Sequence, residues 1–368
     1  MRYNKYRIPL FLCLLTPLGL FISFLAMNFP IIIEKYYSLG INKITRQLLN
    51  NLTGIFPFSV AEIVVLSLLI FVFYEIIKLI IHICSHRNKI MILFKFLLNT
   101  FALFSIIYFL FIFLWGINYY RQPFSKIAGL NSTASSVKEL SVLCSSIIND
   151  ANKLSLKINV LKDSKNTVAK SKNNKQAILK EVDKSYRNAA KYYKELDGAY
   201  GTPKALIFSI ALSYSGISGI YFPFTGEANV NSDIPLSMFP NTACHEAAHQ
   251  RGFAREDEAN YISYFVCTRS TDIYFKYSGT LLALIYSMDA LCQYDPESYK
   301  LLQTKYSKLV KADLVELNLF WKQYEGPIDK ISSKINNAYL KANMQKDGIY
   351  SYGRMVDLLL AEFHAKLK

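Results

Sequence analysis

Three unbroken apolar runs fill the first third of the chain; after them, hydrophobic positions recur in threes and fours among polar ones. From Ile8 to Phe29 the sequence IPLFLCLLTPLGLFISFLAMNF carries no charge. As a helix rising 1.5 Å per residue it is long enough to cross a hydrocarbon core of about 30 Å. A second run covers about 60–83, with Glu62 at its mouth and Glu75 and Lys78 spaced i,i+3 so that they share a helix face. A third covers about 90–117 and ends in Trp115, Tyr119 and Tyr120, the residues expected where a span meets the membrane–water interface. The pattern predicts three transmembrane helices. A cleaved signal peptide competes for the first run, because Arg2, Lys5 and Arg7 form a basic leader. That run exceeds the roughly 7–15 apolar residues of such peptides and no A-x-A site follows, so a retained span is expected.

Beyond Arg121 the period changes. Val137, Leu140, Leu143, Cys144, Ile147 and Ile148 fit an amphipathic helix over 135–154. The lysine- and asparagine-rich stretch Lys157–Asn174 reads as an exposed loop, a polar helix follows at about 176–196, and Asp197–Pro203 stops it. Between Pro203 and Pro235, glycines punctuate β-branched and aromatic residues, which predicts a small sheet or edge strand around Gly219–Val230. From Phe239 onward the chain reads helical, with a last helix at 352–367. The expected fold is mainly α, with a membrane domain over 1–120 and a water-exposed domain over 121–368.

Composition agrees. The chain is 52% hydrophobic with only 19% charged residues, yet its formal net charge is +15. Basic and apolar together point to a lipid bilayer as a partner. Nucleic acid is not an expected partner, because the later lysines are scattered among acidic and small polar residues with no glycine-aromatic motif. Basic residues before the first run and around the turn between the second and third place both segments in the cytoplasm. The domain after Arg121 is then extracytoplasmic. The six cysteines form no disulfide framework in so long a chain, and Cys244 reads as a core thiol.

The chemistry concentrates in His245-Glu246-Ala247-Ala248-His249, which holds two of the five histidines. Side chains at i and i+4 leave a helix on one face, so two imidazoles can grip one Zn²⁺ while Glu246 between them reaches a water on the metal. Gly252 suits a left-handed helix end, and Glu256, Asp257 and Glu258 open the next helix where a third ligand is required.

The motif HEAAHQRGFAREDEAN, preceded by GIYFPFTGEANVN and three spans, resembles a family of uncharacterised bacterial multipass membrane proteins regarded as zincin-like. The resemblance covers nearly the whole chain. More distantly, the motif is similar to that of the gluzincin metallopeptidases. By position this implies Glu256 as the third zinc ligand, with Glu258 and then Asp257 as alternatives, and Asn260 as the residue that orients the first histidine. The gap from His249 to Glu256 is closer to metzincin spacing, where a glycine three residues after the second histidine turns the chain.

The expected activity is hydrolysis of a peptide or protein substrate by water that zinc acidifies and Glu246 deprotonates, Glu246 then passing the proton to the leaving amine. Tyr352 and Arg354 are the candidates for stabilising the oxyanion, and the strand around Tyr221–Asn231 is a candidate edge for an added substrate strand. Two other classes remain: a non-catalytic membrane scaffold, zinc-bound or metal-free, for envelope partners, and a zinc amidase acting on peptidoglycan stem peptides.

Overall fold

The computed structural model describes residues 4–130, 135–164, 171–343 and 345–367. Three helices are long and apolar enough to cross a membrane: α1 (Tyr6–Asn28), and, after an intervening α2 (Asn42–Gly54), α3 (Val60–Ser85) and α4 (Lys89–Leu114). They mark the chain as a membrane protein. α1 and α4 pack together where small residues permit it: Tyr108 covers Gly19, and the Thr16 hydroxyl donates to Ser105 at 2.8 Å. α3 stands apart, with only Ala61 of its residues buried.

α2 belongs to the water-exposed part as much as to the membrane part. Its first residue, Asn42, donates to the Leu114 carbonyl at the end of α4 (2.9 Å). At its other end the Lys204 ammonium bonds the carbonyls of Thr53 and Phe58 (2.7 and 2.8 Å), just before α3 begins. Both ends of α2 therefore lie beside ends of the long apolar helices, the last residue of α4 and the segment leading into α3. Asn42, Arg46 and Asn50 form its buried face, while Ile44, Leu48 and Leu52 point outward. The start of α3 is capped twice: by the Ser59 hydroxyl, and by Glu227, whose carboxylate accepts from the amides of Val60 and Ala61 (3.1 and 2.7 Å). A carboxylate suits the positive end of a helix, and the buried Lys204 at 2.7 Å compensates its charge.

Apart from short helical turns at Gly116–Tyr120, Phe124–Ile127 and Lys194–Leu196, the chain beyond the third span forms α5 (Val137–Ser164), α6 (Ser171–Ala190), β1 (Lys204–Ala205), α7 (Ser209–Tyr214), β2 (Gly219–Phe222), β3 (Glu227–Val230), α8 (Phe239–Gln250), α9 (Glu256–Thr268), α10 (Ile273–Tyr294), α11 (Pro296–Gln303), α12 (Lys308–Lys322), α13 (Pro327–Ala342), a 3₁₀ segment (Gly348–Arg354) and α14 (Met355–Leu367). The fold is mainly α, as expected. α10 is the central helix, burying Leu281, Ala283, Leu284 and Leu291 among α5, α8 and α9. The sheet has the order β1-β3-β2, with β1 parallel and β2 antiparallel to β3. β2 is an edge strand, within the segment where an edge strand was expected.

Two expectations are corrected. Lys157–Asn174 is not a loop throughout: α5 continues to Ser164, its apolar stripe extending through Ala151 to the buried Ile158, with Lys157 exposed. α6 begins at Ser171, and residues 165–170 lie outside the described set. Trp115 and Tyr119 are not a lipid-facing belt, since both are buried against Tyr221, Ala254 and Tyr339.

Candidate metal centre

α8 is buried on nearly every side, and Ala247 and Ala248 are the small residues that let it sit this close to its neighbours. His245 and His249 stand one turn apart with ring centroids 4.6 Å from each other and planes at right angles. The chain reverses at Gly252, whose φ of +84° favours glycine. There the Gly252 amide bonds the His249 carbonyl (2.8 Å) and the Phe253 amide bonds that of Ala248 (3.2 Å). A second constraint acts on the same glycine: a Cβ there would lie 2.7 Å from the Arg46 guanidinium, which comes from α2.

This short reversal brings the first residue of α9 back onto the histidines. Glu256 Oε2 lies 3.2 Å from His245 Nε2 and 3.5 Å from His249 Nε2. One ligand atom from each of the three residues fits within 4.8 Å of the others, and among the described residues no fourth His, Cys, Asp or Glu joins them. His249 Nδ1 is 2.7 Å from the Phe253 carbonyl, so Nδ1 carries the proton and donates, leaving Nε2 turned to the cluster. The Trp115 ring meets the His249 ring edge-on at 5.4 Å.

The neighbouring carboxylates turn elsewhere, as successive 100° steps around a helix require. Glu258 Oε1 accepts from the Phe124 amide (2.9 Å) and lies 3.6 Å from Arg255. Asp257 pairs with Arg255 (3.2 Å) and Arg354 (3.8 Å). Arg354 also meets Asp347 at 3.1 Å, so its described ion pairs are with aspartates rather than with the histidine cluster. Asn260 donates to the Tyr286 hydroxyl at 3.3 Å. Tyr352 falls in the 3₁₀ segment, and its side chain lies outside the described set.

Electrostatically the cluster draws in positive charge. Burial would lower the His249 pKa, but the Glu256 carboxylate outweighs it and raises it to about 9. Burial would raise Glu256, yet the two imidazoles hold it well below the ordinary carboxylate range. Glu246 is lifted to about 7 by burial, against the lowering pull of both histidines. One of its oxygens, Oε2, is buried without a hydrogen-bond partner. The side chain lies on the edge strand at Gly219, where a Cβ would come within 2.6 Å of Oε1. That glycine makes room for the glutamate.

Several side chains around the centre went unrecognised in the sequence. Trp115 Nε1 donates to the Tyr339 hydroxyl (3.1 Å), which is 3.0 Å from that of Tyr119. The Glu256 charge helps raise the pKa of both tyrosines, burial being the larger cause, so the hydroxyls keep their protons. Only one proton can lie between the two oxygens, which leaves the other O–H available to an acceptor. Arg121 forms a buried bidentate pair with Glu34 (2.6 and 2.8 Å) and donates to the Gly252 carbonyl (3.0 Å). Arg46 donates to the Gln250 carbonyl (2.8 Å). The turn between the second histidine and Glu256 is thus held by two arginines from the membrane-proximal segments.

No curated protein and no solved structure matches the chain. A family model described as a protein of unknown function, DUF3810, matches residues 37–360, and the chain belongs to that family.

Proposed function

We propose that the protein is a membrane-anchored, zincin-like metallopeptidase whose centre lies beside the end of the third span, on the extracytoplasmic side. The observation that carries this reading is the convergence of His245, His249 and Glu256 within 4.8 Å around a helix that also presents Glu246. Two imidazoles and a carboxylate are a donor set that suits zinc, and three protein ligands with no fourth among the described residues match a catalytic rather than a structural site. That openness favours the enzyme over a zinc-stabilised scaffold. A zinc ion held there would supply Lewis acidity, polarising a substrate carbonyl and making water acidic enough to lose a proton near neutral pH.

The chain's own residues would do the rest. Glu246, buried and with one oxygen unsatisfied, is the base that takes the proton of the attacking water and returns it to the leaving amine. The Tyr119–Tyr339 pair, beside Glu256, offers the O–H that would bond the developing oxyanion, the role the sequence suggested for Tyr352 or Arg354. In the β2–β3 register, Ser218 accepts from Asn231, so the backbone groups of Gly219 and Tyr221 face away from β3. Glu246 rests on this edge, where the Tyr221 amide donates to its carboxylate, and an extended substrate would add along the same edge by taking over that amide.

The test is cleavage of a peptide library, read by mass spectrometry, by the full-length protein and its Glu246→Gln variant. The proposal expects zinc-dependent cleavage that Glu246→Gln abolishes while its zinc content stays the same. Cleavage undiminished in Glu246→Gln, or none by zinc-loaded wild type while peptidoglycan stem amides are cut, would overturn it, the latter in favour of the amidase.

A further inference from the structure

Two patches of exposed apolar side chains lie on elements far apart in sequence, and each begins at a span terminus. The first is Ile207 and Phe208 followed by Ile210 and Tyr214 on α7. It is tied to the start of α3, where the Glu62 carboxylate accepts from the amides of Ile207 (2.9 Å) and Phe208 (2.8 Å). The second is a stripe along α13: Ile328, Ile331 and Ile335 are 57%, 59% and 65% exposed at helical spacing. It ends at Tyr339, whose ring packs on Phe111 in the last turn of α4 and whose hydroxyl bonds Trp115 beyond it. The patches meet each other. Asp329 stands 2.7 Å from where a Gly216 Cβ would be, and the Tyr214 and Tyr324 rings pack edge-on at 5.0 Å.

The sides of α13 differ in burial at its C-terminal end. Leu340, on the side opposite the isoleucines, is fully buried in the domain. Lys330, Lys334 and Lys341 are exposed and fall along one border of the isoleucine stripe. α2 shows the same division, polar face in the domain and apolar face outward, and its ends sit at span termini. An apolar face bordered by lysines, continuous with lipid-facing spans at two separate points, matches a helix lying in the headgroup layer.

We infer that α13 and the start of α7 are embedded in the surface of the bilayer, with Lys330, Lys334 and Lys341 placed on anionic lipid headgroups. The domain is thereby laid down on the membrane through contacts independent of the three spans. This inference does not depend on the peptidase reading.

The test uses full-length protein in nanodiscs, with the exposed Cys84 and Cys292 changed to serine and single cysteines introduced as Ile331→Cys, Ile335→Cys, Ile207→Cys or Ser333→Cys. Each is labelled with an environment-sensitive fluorophore, and the unsubstituted background provides the blank. Lipid carrying a nitroxide near its headgroup should quench the labels at 331, 335 and 207 but not at 333, which faces away from the stripe. Quenching at 331 and 335 should rise when phosphatidylglycerol replaces part of the phosphatidylcholine, and the rise should disappear in the Lys330→Glu, Lys334→Glu, Lys341→Glu variant. Equal, weak quenching at all four positions would overturn the inference. So would labels shielded from water yet untouched by the lipid nitroxide, because another protein surface would then cover the stripe.

Discussion

Replacing Arg46 by alanine tests whether α2 builds the candidate metal centre or merely lies under it. The guanidinium is 1% exposed and donates to the carbonyls of Gln250 and Ser38 at 2.8 Å each, and of Asn42 at 3.3 Å. A hydrogen bond from a charged donor contributes about 1.5–3 kcal/mol, so the two short ones together amount to about 3–6 kcal/mol. Removing the charge also relieves its desolvation, which offsets part of that loss and leaves a net cost of about 3 kcal/mol. At about 2–4 °C per kcal/mol for a domain of this size, the apparent Tm should fall by about 6–12 °C. The Gln250 carbonyl lies in the turn that carries the chain from His249 to Glu256, so zinc should also bind more weakly. The assay is thermal unfolding of the full-length protein in detergent, paired with zinc competition against a chelator. Leu48→Ala, on the outward face of the same helix, should leave zinc affinity unchanged. An Arg46→Ala protein that melts with the parent and holds zinc as tightly would refute the reasoning.

Gly219→Ala should displace Glu246, since the new Cβ would come within 2.6 Å of its carboxylate and 2.9 Å of the Asn229 carbonyl; peptidase activity should be lost with zinc content unchanged. The double substitution Tyr119→Phe, Tyr339→Phe removes both hydroxyls of the pair and should lower kcat by about 10²–10³ with zinc retained, as measured on the best library peptide. A fragment of residues 121–368 lacks Arg46, Glu34, Trp115 and Tyr119, and in chelator competition it should hold zinc more weakly than the full chain.

Features that depend on local periodicity were legible in the sequence. The three apolar runs became three helices, and two histidines at i,i+4 faced the same way because helix geometry demands it. Choosing among Glu256, Asp257 and Glu258 needed the exact path of the chain at Gly252, because one helix position swings a side chain by about 100°. The Arg46 contact that helps fix that path spans 204 residues and leaves no local pattern. Trp115 and Tyr119 misled for a related reason: an aromatic cluster after an apolar run has the same composition whether it faces lipid or packs beside the histidine cluster. Their proximity to Tyr339 is set by α13, more than 200 residues later. The Lys157–Ser164 stretch misled because the lysine-rich composition hid a stripe that ran on to Ile158.

The central claim is that His245, His249 and Glu256 hold one zinc ion. The direct measurement is metal content, by mass spectrometry, of the full-length protein purified with zinc available, beside its His245→Ala, Glu256→Ala and Glu258→Ala variants. The account predicts about one zinc per chain in wild type and Glu258→Ala, as a three-ligand site requires, and little in the other two. Folded wild type without zinc, or zinc undiminished in both His245→Ala and Glu256→Ala, would contradict it.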